Sequence, residues 1–280
     1  MTEATADTQF VPFDSSHIDG AMRLSRQARW PHRNEDWAFM MLISHGLAAC
    51  RDGEVIGTGF ATLFDEHTAS ISLIIVDAAM RGKGFGRELM NRLLDVAGAR
   101  ESRLVATPDG LSLYQKLGFR EVRKIHQHQA VISNVTHPDG VGWWSTPDVA
   151  HLVALDRAAF GADRSAIITR ACELGEVAVL GASGTPSAFA IVRPFGKGKV
   201  VGPVIAQGEA QAKALIAFAL AENEGSFMRT DVPQDCGLSP WLEGLGLVCV
   251  DRVVAMVRQP HPASTQPRSR VFGLFNQALG

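Results

Sequence analysis

The stretch Arg81-Gly82-Lys83-Gly84-Phe85-Gly86-Arg87 follows an apolar run, Ile71 to Val76, and opens a segment in which Phe85, Leu89, Met90, Leu93, Leu94 and Ala97 recur at helical spacing. A strand buried on both faces therefore runs through a glycine-rich bend into an amphipathic helix. Three glycines leave backbone N–H groups unshielded by side chains, and the first helical turn adds unsatisfied donors and the positive end of the helix dipole. Arg81, Lys83 and Arg87 bring positive charge to the same place. Such a bend suits a phosphate, and a diphosphate in particular. Two familiar nucleotide loops do not fit. A Walker loop requires Ser or Thr after Gly-Lys, and Gly84 stands there instead. A dinucleotide fingerprint spaces its glycines G-x-G-x-x-G, whereas Gly82, Gly84 and Gly86 run G-x-G-x-G after a hairpin.

Upstream of the bend, residues 9 to 13 alternate as a short strand, and Ser16 precedes a helix through Ile18, Met22, Leu24 and Ala28. A second helix starts after Asn34 and ends near Gly46. Leu47 to Cys50 and Val55 to Phe64 form a hairpin on Asp52-Gly53. Downstream come a short strand at Leu104 to Ala106, a short helix at Leu111 to Leu117 and a long strand at Phe119 to Ile132. This order is an α/β layer. Breakers crowd Ser133 to Pro147, after which the order repeats: helices over Val149 to Phe160 and Ser165 to Leu174, then strands at Val177 to Leu180, Ser187 to Val192 and Val200 to Ala206. A helix over Glu209 to Asn223, a strand near Phe227, a short helix near Pro240 and a strand at Leu247 to Val257 complete the repeat. Gly196 to Lys199 is a hairpin turn. The organisation expected is a unit at 1–133, a linker at 134–146, a second unit at 147–259, and a tail at 260–280 whose amphipathic turn or two packs back on the body.

Composition narrows the field. The 280 residues suit two units of roughly 150 residues, and 46% hydrophobic content supplies a core, which excludes general disorder. Lys and Arg number 27 against 29 Asp and Glu, a net charge of −2, so the basic signature of a nucleic-acid binder is missing. The cysteines, Cys50, Cys172, Cys236 and Cys249, form no C-x-x-C pair and fit a reducing compartment. No signal peptide or membrane span is visible, so a soluble cytoplasmic protein without nucleic-acid or membrane partners is expected.

A second segment joins the glycine bend: Leu113-Tyr114-Gln115-Lys116-Leu117-Gly118-Phe119, which contains the chain's sole tyrosine. With R-x-x-G-x-G at Arg81 to Gly86, it resembles the GCN5-related N-acetyltransferase family, whose acetyl-CoA loop reads Q/R-x-x-G-x-G/A and whose L-Y-x-K-x-G-F segment precedes the last strand. The resemblance covers approximately residues 9 to 130. It implies a mixed α/β sheet in which the third and fourth strands splay apart at a bulge. Ile74, Ile75 and Val76 would then contact the pantetheine arm of acetyl-CoA, and Gly82, Lys83, Gly84, Phe85, Gly86 and Arg87, beside Arg81, would hold its pyrophosphate. It also implies attack by an amine on the acetyl thioester, with Tyr114 as acid or anchor for the departing sulfur and a backbone N–H near Val76 as oxyanion donor. Several members use a carboxylate on the strand before the loop, yet Thr68 to Val76 has none. Asp65, Glu66, His67 and Asp77 are nearby but suit turn and cap roles, which leaves a water chain as base.

For the acceptor, Trp30, Glu35 and Asp36 in the loop between the first two helices could seat a cationic amine; helix capping explains the two carboxylates equally. His126 and His128 share a strand face but lack a third ligand, so no metal is expected. In the repeat, the bend reads Gln207-Gly208-Glu209-Ala210-Gln211-Ala212: a glycine is lost, Glu209 opposes a diphosphate, and no tyrosine follows. The second half is therefore expected to be degenerate, as in tandem bacterial members, and to mimic the partner of a homodimer; the chain is a monomer of this pseudo-dimeric kind or a homodimer. Asp156, Phe160, Asp163 and Arg164 could line the cleft between halves, or belong to a helix with exposed charges. Two functions follow: N-acetylation of a primary amine of a small molecule or of an amino-acid-like acceptor, or an acyl-CoA-binding module without turnover.

Overall fold

The structure, a computed structural model, describes residues 8–180, 185–260 and 268–280. Its first half runs β1 (Gln9–Pro12), α1 (Ile18–Gln27), α2 (Asn34–Ile43), β2 (His45–Arg51), β3 (Glu54–Leu63), β4 (Thr68–Val76), α3 (Phe85–Ala97), β5 (Glu101–Ala106), α4 (Pro108–Lys116) and β6 (Arg120–Val131). Local chemistry sets these limits. Asp52 and Gly53 both take positive φ, 51° and 80°, and close the β2–β3 hairpin. Pro108 opens α4, where its missing N–H costs nothing. The helical stripe at Phe85, Leu89, Met90, Leu93 and Ala97 is the buried face of α3.

The second half repeats that order: β7 (Val141–Trp143), α5 (Val149–Phe160), α6 (Ser165–Leu174), β8 (Glu176–Leu180), β9 (Phe189–Phe195), β10 (Gly198–Ala206), α7 (Glu209–Ala221), β11 (Phe227–Pro233), α8 (Ser239–Gly244) and β12 (Val248–Arg258). Strand β7 falls within the stretch read as a linker. Three residues are too few for an alternation to show, and pairing with β8 (Trp143↔Ala178) is what makes them a strand. A last strand, β13 (Arg270–Gly273), replaces the amphipathic turns expected of the tail.

The thirteen strands among the described residues belong to one mixed sheet, ordered β1-β2-β3-β4-β5-β12-β6-β11-β10-β9-β8-β7, with β13 beside β10. Chain order alone would set β6 beside β5 and β12 beside β11. Instead β12 pairs with β5 (Val254↔Ala106 to Arg258↔Ser102), β6 pairs with β11 (Ile125↔Pro233 to Val131↔Phe227), and β6 and β12 pair with each other. Each half lends its last strand to the other. Met256 of β12 thereby enters the cluster formed by Ile71, Leu93, Leu104, Tyr114 and Phe119 of the first half.

Strand β13 has a particular place. β10 pairs in parallel with β11 only at Lys199 and Val200; farther along, its edge takes β13 (Val204↔Gly273, Ile205↔Val271, Ala206↔Arg270). Phe272, Leu274, Phe275 and Leu279 are buried behind it. Arg164 holds this tail: its guanidinium lies 3.7 Å over the Phe160 ring, pairs with Asp156 at 2.6 Å, and donates to the carbonyls of Leu279 and Gly280. Asp156 and Arg164 are each 1% exposed, so the exposed-charge reading of this helix region gives way to a buried ion pair. Among the described residues no helix is long and apolar enough to cross a membrane.

Close approach of the tail depends on Gly202, where an added Cβ would stand 2.0 Å from the carbonyl oxygen of Leu274. Gly202→Ala is expected to cost ~3 kcal/mol and lower Tm by about 6–12 °C in thermal denaturation. Gly208→Ala, with open space around its Cβ and φ −163°, should stay within about 2 °C. Equal melting temperatures for the two variants would contradict the tail packing.

Candidate active site

Between β3 and β4 the register slips by one residue, from Thr58↔Ile75 to Phe60↔Ser72. The extra residue is a bulge at Leu73, whose φ is 51° and whose carbonyl accepts a 2.9 Å bond from the Thr58 hydroxyl. The bulge resets which face each side chain takes. Ile71 and Ile74 pack on the α3 side, whereas Leu73 and Ile75 join the cluster under α1 and α2. Beside it the Ser72 hydroxyl is buried without a partner.

On its other edge β4 pairs with β5 only from Thr68↔Glu101 to Ser70↔Arg103. The two strands then part, so Ile75 and Val76 are laddered to β3 alone, and Ile74 lies within the register shift. At the mouth of this opening lies the glycine bend. Gly82 and Gly84 have φ of 76° and 93°, values that L side chains rarely adopt, and both face open space. Gly84 has no side chain to cap α3, and the first bond closing the helix runs from Glu88 N–H to Gly84 C=O at 3.0 Å. The amides of Phe85, Gly86 and Arg87 thus precede the hydrogen-bonded ladder. Arg81, Lys83 and Arg87 are exposed around them, with Arg81 3.4 Å from Asp109.

Tyr114 is 8% exposed in α4, its ring edge-on to Phe119 with centroids 6.1 Å apart. Gly110, one turn earlier, gives the ring room: a Cβ there would fall 2.6 Å from it. Burial pushes the phenol up to about 12, so it carries its proton at every ordinary pH. The nearby carboxylates do other work. Burial raises Asp77, but the Ala79 amide, Arg23 at 2.6 Å and Gln27 outweigh it and hold the group below its usual range. Asp65 is likewise held low against burial by the amides of His67, Asp163 and Thr68. Neither is poised as a base.

A cavity of about 180 Å³ lies beside the bulge, walled by Leu73, by Glu35 and Asp36 of α2, by Arg193 of β9 and by Asn276 and Ala278 of the tail. Both halves therefore contribute to it. Asp36 is committed to Arg33 (2.7 Å and 3.2 Å, plus its amide at 2.9 Å) and to the Gly196 amide of the β9–β10 turn at 3.0 Å. Burial opposes its charge, yet these bonds set its pKa below the ordinary value. Glu35 is exposed on the wall, while Trp30 is not part of it and lies edge-on to His32. Burial depresses His32 to about 4, leaving it neutral.

In the second half the site is built differently. β10 carries the matching bulge between Val201 and Val204, but β13 occupies the opening beyond it, and Glu209 is paired with Lys213 at 2.6 Å. Strand exchange also produces a neighbour that sequence spacing did not reveal. Cys249 stands opposite His128, so that ligand-type atoms of His126, His128 and Cys249 lie within 4.8 Å of one another. The histidines are bonded to Ser239 at 2.9 Å and 3.1 Å, and His128 also to the Leu247 carbonyl at 3.3 Å.

Comparison with known proteins agrees with this geometry. A model of the acetyltransferase (GNAT) family matches residues 12–119, and a model of the acetyltransferase (GNAT) domain matches residues 152–273. The chain belongs to the GCN5-related N-acetyltransferase family. It is a tandem-domain member and, as such, an acyltransferase of that family. The uncharacterized N-acetyltransferase YitH of Bacillus subtilis (strain 168) is 28% identical over 97% of this chain and 98% of its own. A putative acetyltransferase from Pyrococcus horikoshii shares the GNAT fold with a TM-score of 0.81 and 18% identity, over 98% of this chain and 96% of that one. A tandem GNAT protein from the clavulanic acid biosynthesis pathway gives 0.65 and 18%, over 92% and 100%.

The two cavity carboxylates on α2 should separate experimentally. Because the folded pKa of Asp36 is depressed, its stabilisation is present above the unfolded value of ~3.9 and is lost as pH falls through the lower folded value. Asp36→Ala is expected to lose ~2 kcal/mol, about 4–8 °C in Tm at pH 7, with the gap to wild type narrowing below pH ~4. Glu35→Gln should leave Tm unchanged. A wild-type Tm for Asp36→Ala would mean that the carboxylate is free for substrate.

Proposed function

We propose that the protein transfers an acetyl group from acetyl-CoA to a primary amine of a small molecule. The observation that carries this reading is the parting of β4 from β5 after Ser70, which leaves a backbone edge running from the bulge to the glycine bend. The residues there fit the donor. The outer edge of Ile74–Val76 can hydrogen-bond an amide-containing arm as a further strand would. Arg81 to Arg87 present amides, a helix N-terminus and three cationic side chains to a diphosphate. Acetyl-CoA would supply the acetyl thioester, and the chain would supply position, donors and a place for protons.

Tyr114 is assigned to the sulfur. Burial holds the Tyr114 phenol on its proton, raised to about 12 against an ordinary thiol at ~8.5, so it serves as hydrogen-bond donor to the departing sulfur rather than releasing its proton. On the amine side, Asp65 and Asp77 are held in their anionic, bonded states and do not take the proton directly. The Ser72 hydroxyl, buried and unpartnered beside the bulge, can hold a water leading toward solvent.

The test is release of free CoA from acetyl-CoA in the presence of an amine panel, read with a thiol reagent. Tyr114→Phe is expected to leave acetyl-CoA affinity within a few fold by calorimetry and to reduce kcat at least ~10-fold. Wild-type kcat should show no loss attributable to this phenol through pH 10, since its protonated form persists up to about 12. An unchanged kcat in Tyr114→Phe removes the assignment. Binding of acetyl-CoA without turnover of any amine would instead make the chain an acyl-CoA-binding module.

A further inference from the structure

The cavity between the halves contains a charge that the protein does not neutralise. Arg193 is 5% exposed, its Nη2 donates to the Phe275 carbonyl at 2.9 Å, and its Nε is buried with no partner. Aromatic rings enclose the guanidinium, Phe275 at 3.9 Å and Phe195 at 5.4 Å from its centre. They offset part of its desolvation but offer no acceptor. The carboxylates that could balance it are engaged elsewhere, Asp36 by Arg33 and Gly196, and Asp231 by Arg229 at 2.9 Å. Even so, with burial pulling it down to about 9, the group remains a cation at neutral pH. Such an arrangement destabilises a folded protein unless an anion completes it.

The cavity suits one kind of anion. Its volume of about 180 Å³ lies below the usual range for drug-sized ligands, roughly 300–1,000 Å³, and admits a small metabolite rather than a peptide or nucleotide. Asn276 adds a second donor to the wall. Its side-chain oxygen accepts from the amides of Ala278 and Leu279 at 2.9 Å each, which leaves Nδ2 as the end able to bond a ligand. Leu73, at the bulge beside the donor opening, forms part of the same wall, and exposed Glu35 offers a negative group at some remove from Arg193.

We propose that the acceptor is an amine bearing a carboxylate, and that Arg193, supplied by the second half of the chain, binds that carboxylate. This rests on the acetyl-transfer reading above for its amine, but the carboxylate site can be measured without turnover. A planar guanidinium with a free Nε–H is suited to a carboxylate, which accepts two parallel bonds.

The experiment uses the full chain and matched pairs of probes: alanine and β-alanine against ethylamine, leucine against 3-methylbutylamine. In the CoA-release assay at least one acid is expected to exceed its matched amine in kcat/KM by ~10-fold or more. Arg193→Met should raise KM for that acid and bring the ratio within about 3-fold, with acetyl-CoA affinity unchanged. Its Tm should not fall, because an unbalanced buried charge is removed. Amines that match or exceed their acids in wild type overturn the proposal, and so does an Arg193→Met variant that keeps the preference while losing Tm, the behaviour of a purely structural arginine. Should that variant not fold, the wild-type comparison decides. If no probe turns over, transfer fails while the site is still tested: calorimetric binding of acids but not amines, in the presence of CoA, supports it, and no binding of the acids overturns it.

Discussion

The pairing of β6 with β12 is the constraint on which the remainder of the molecule rests. Each strand leaves its own half and completes the other, so the hydrogen bonds of β5 are satisfied by residues 254–258 and those of β11 by residues 125–131. An open strand edge exposes a row of backbone donors and acceptors. Reciprocal exchange removes two such edges at once and fuses two similar layers into one sheet. Neither half has a finished core alone, since Met256 packs with Tyr114 and Phe119, and Ile125 with Val253 and Leu274.

Within this nearly symmetrical frame the two halves differ where strands part. Beyond Ser70 the opening next to β4 stays unladdered, and three cationic side chains stand near its mouth. The counterpart next to β10 takes β13 as a strand of its own. One copy of the fold thus keeps a groove of donors and acceptors, while the other spends the same groove on packing its tail. The tail reaches back further: Ser70 donates to the Ala278 carbonyl at 2.7 Å, and Asn276 and Ala278 wall the cavity beside the bulge. The tail that fills the second half's opening thus also walls the cavity beside the bulge.

Much of this could be read in the sequence, and what could not has physical reasons. Helix α3, the glycine bend and the hairpin at Asp52-Gly53 are local features, set by side-chain periodicity and by φ values that glycine tolerates. The resemblance implied a bulge, but its place at Leu73 was hidden because Ile71 to Val76 is apolar but for Ser72, so a shift in alternation leaves almost no trace. Exchange was hidden because β6 and β12 are comparable strands, and sequence order cannot say which neighbour each will choose. Asp156 and Arg164 read as exposed helix charges because their partners, each other and the tail carbonyls, are set by tertiary packing. Arg193 was missed for a similar reason: the strand was expected to stop at Val192, just before a charge that the structure buries.

Strand exchange also has a consequence for synthesis on the ribosome. When β5 emerges, the strand that will cover it lies some way downstream, at residues 248–258. At ordinary elongation rates the bare edge waits on the order of ten seconds. Because contacts so distant in the chain close slowly, the first copy of the fold must stay unfinished, or shielded by chaperones, until β12 has been made. A nascent chain cut short before β12 would carry every residue of the glycine bend and Tyr114, yet would lack the sheet neighbour that holds them in place.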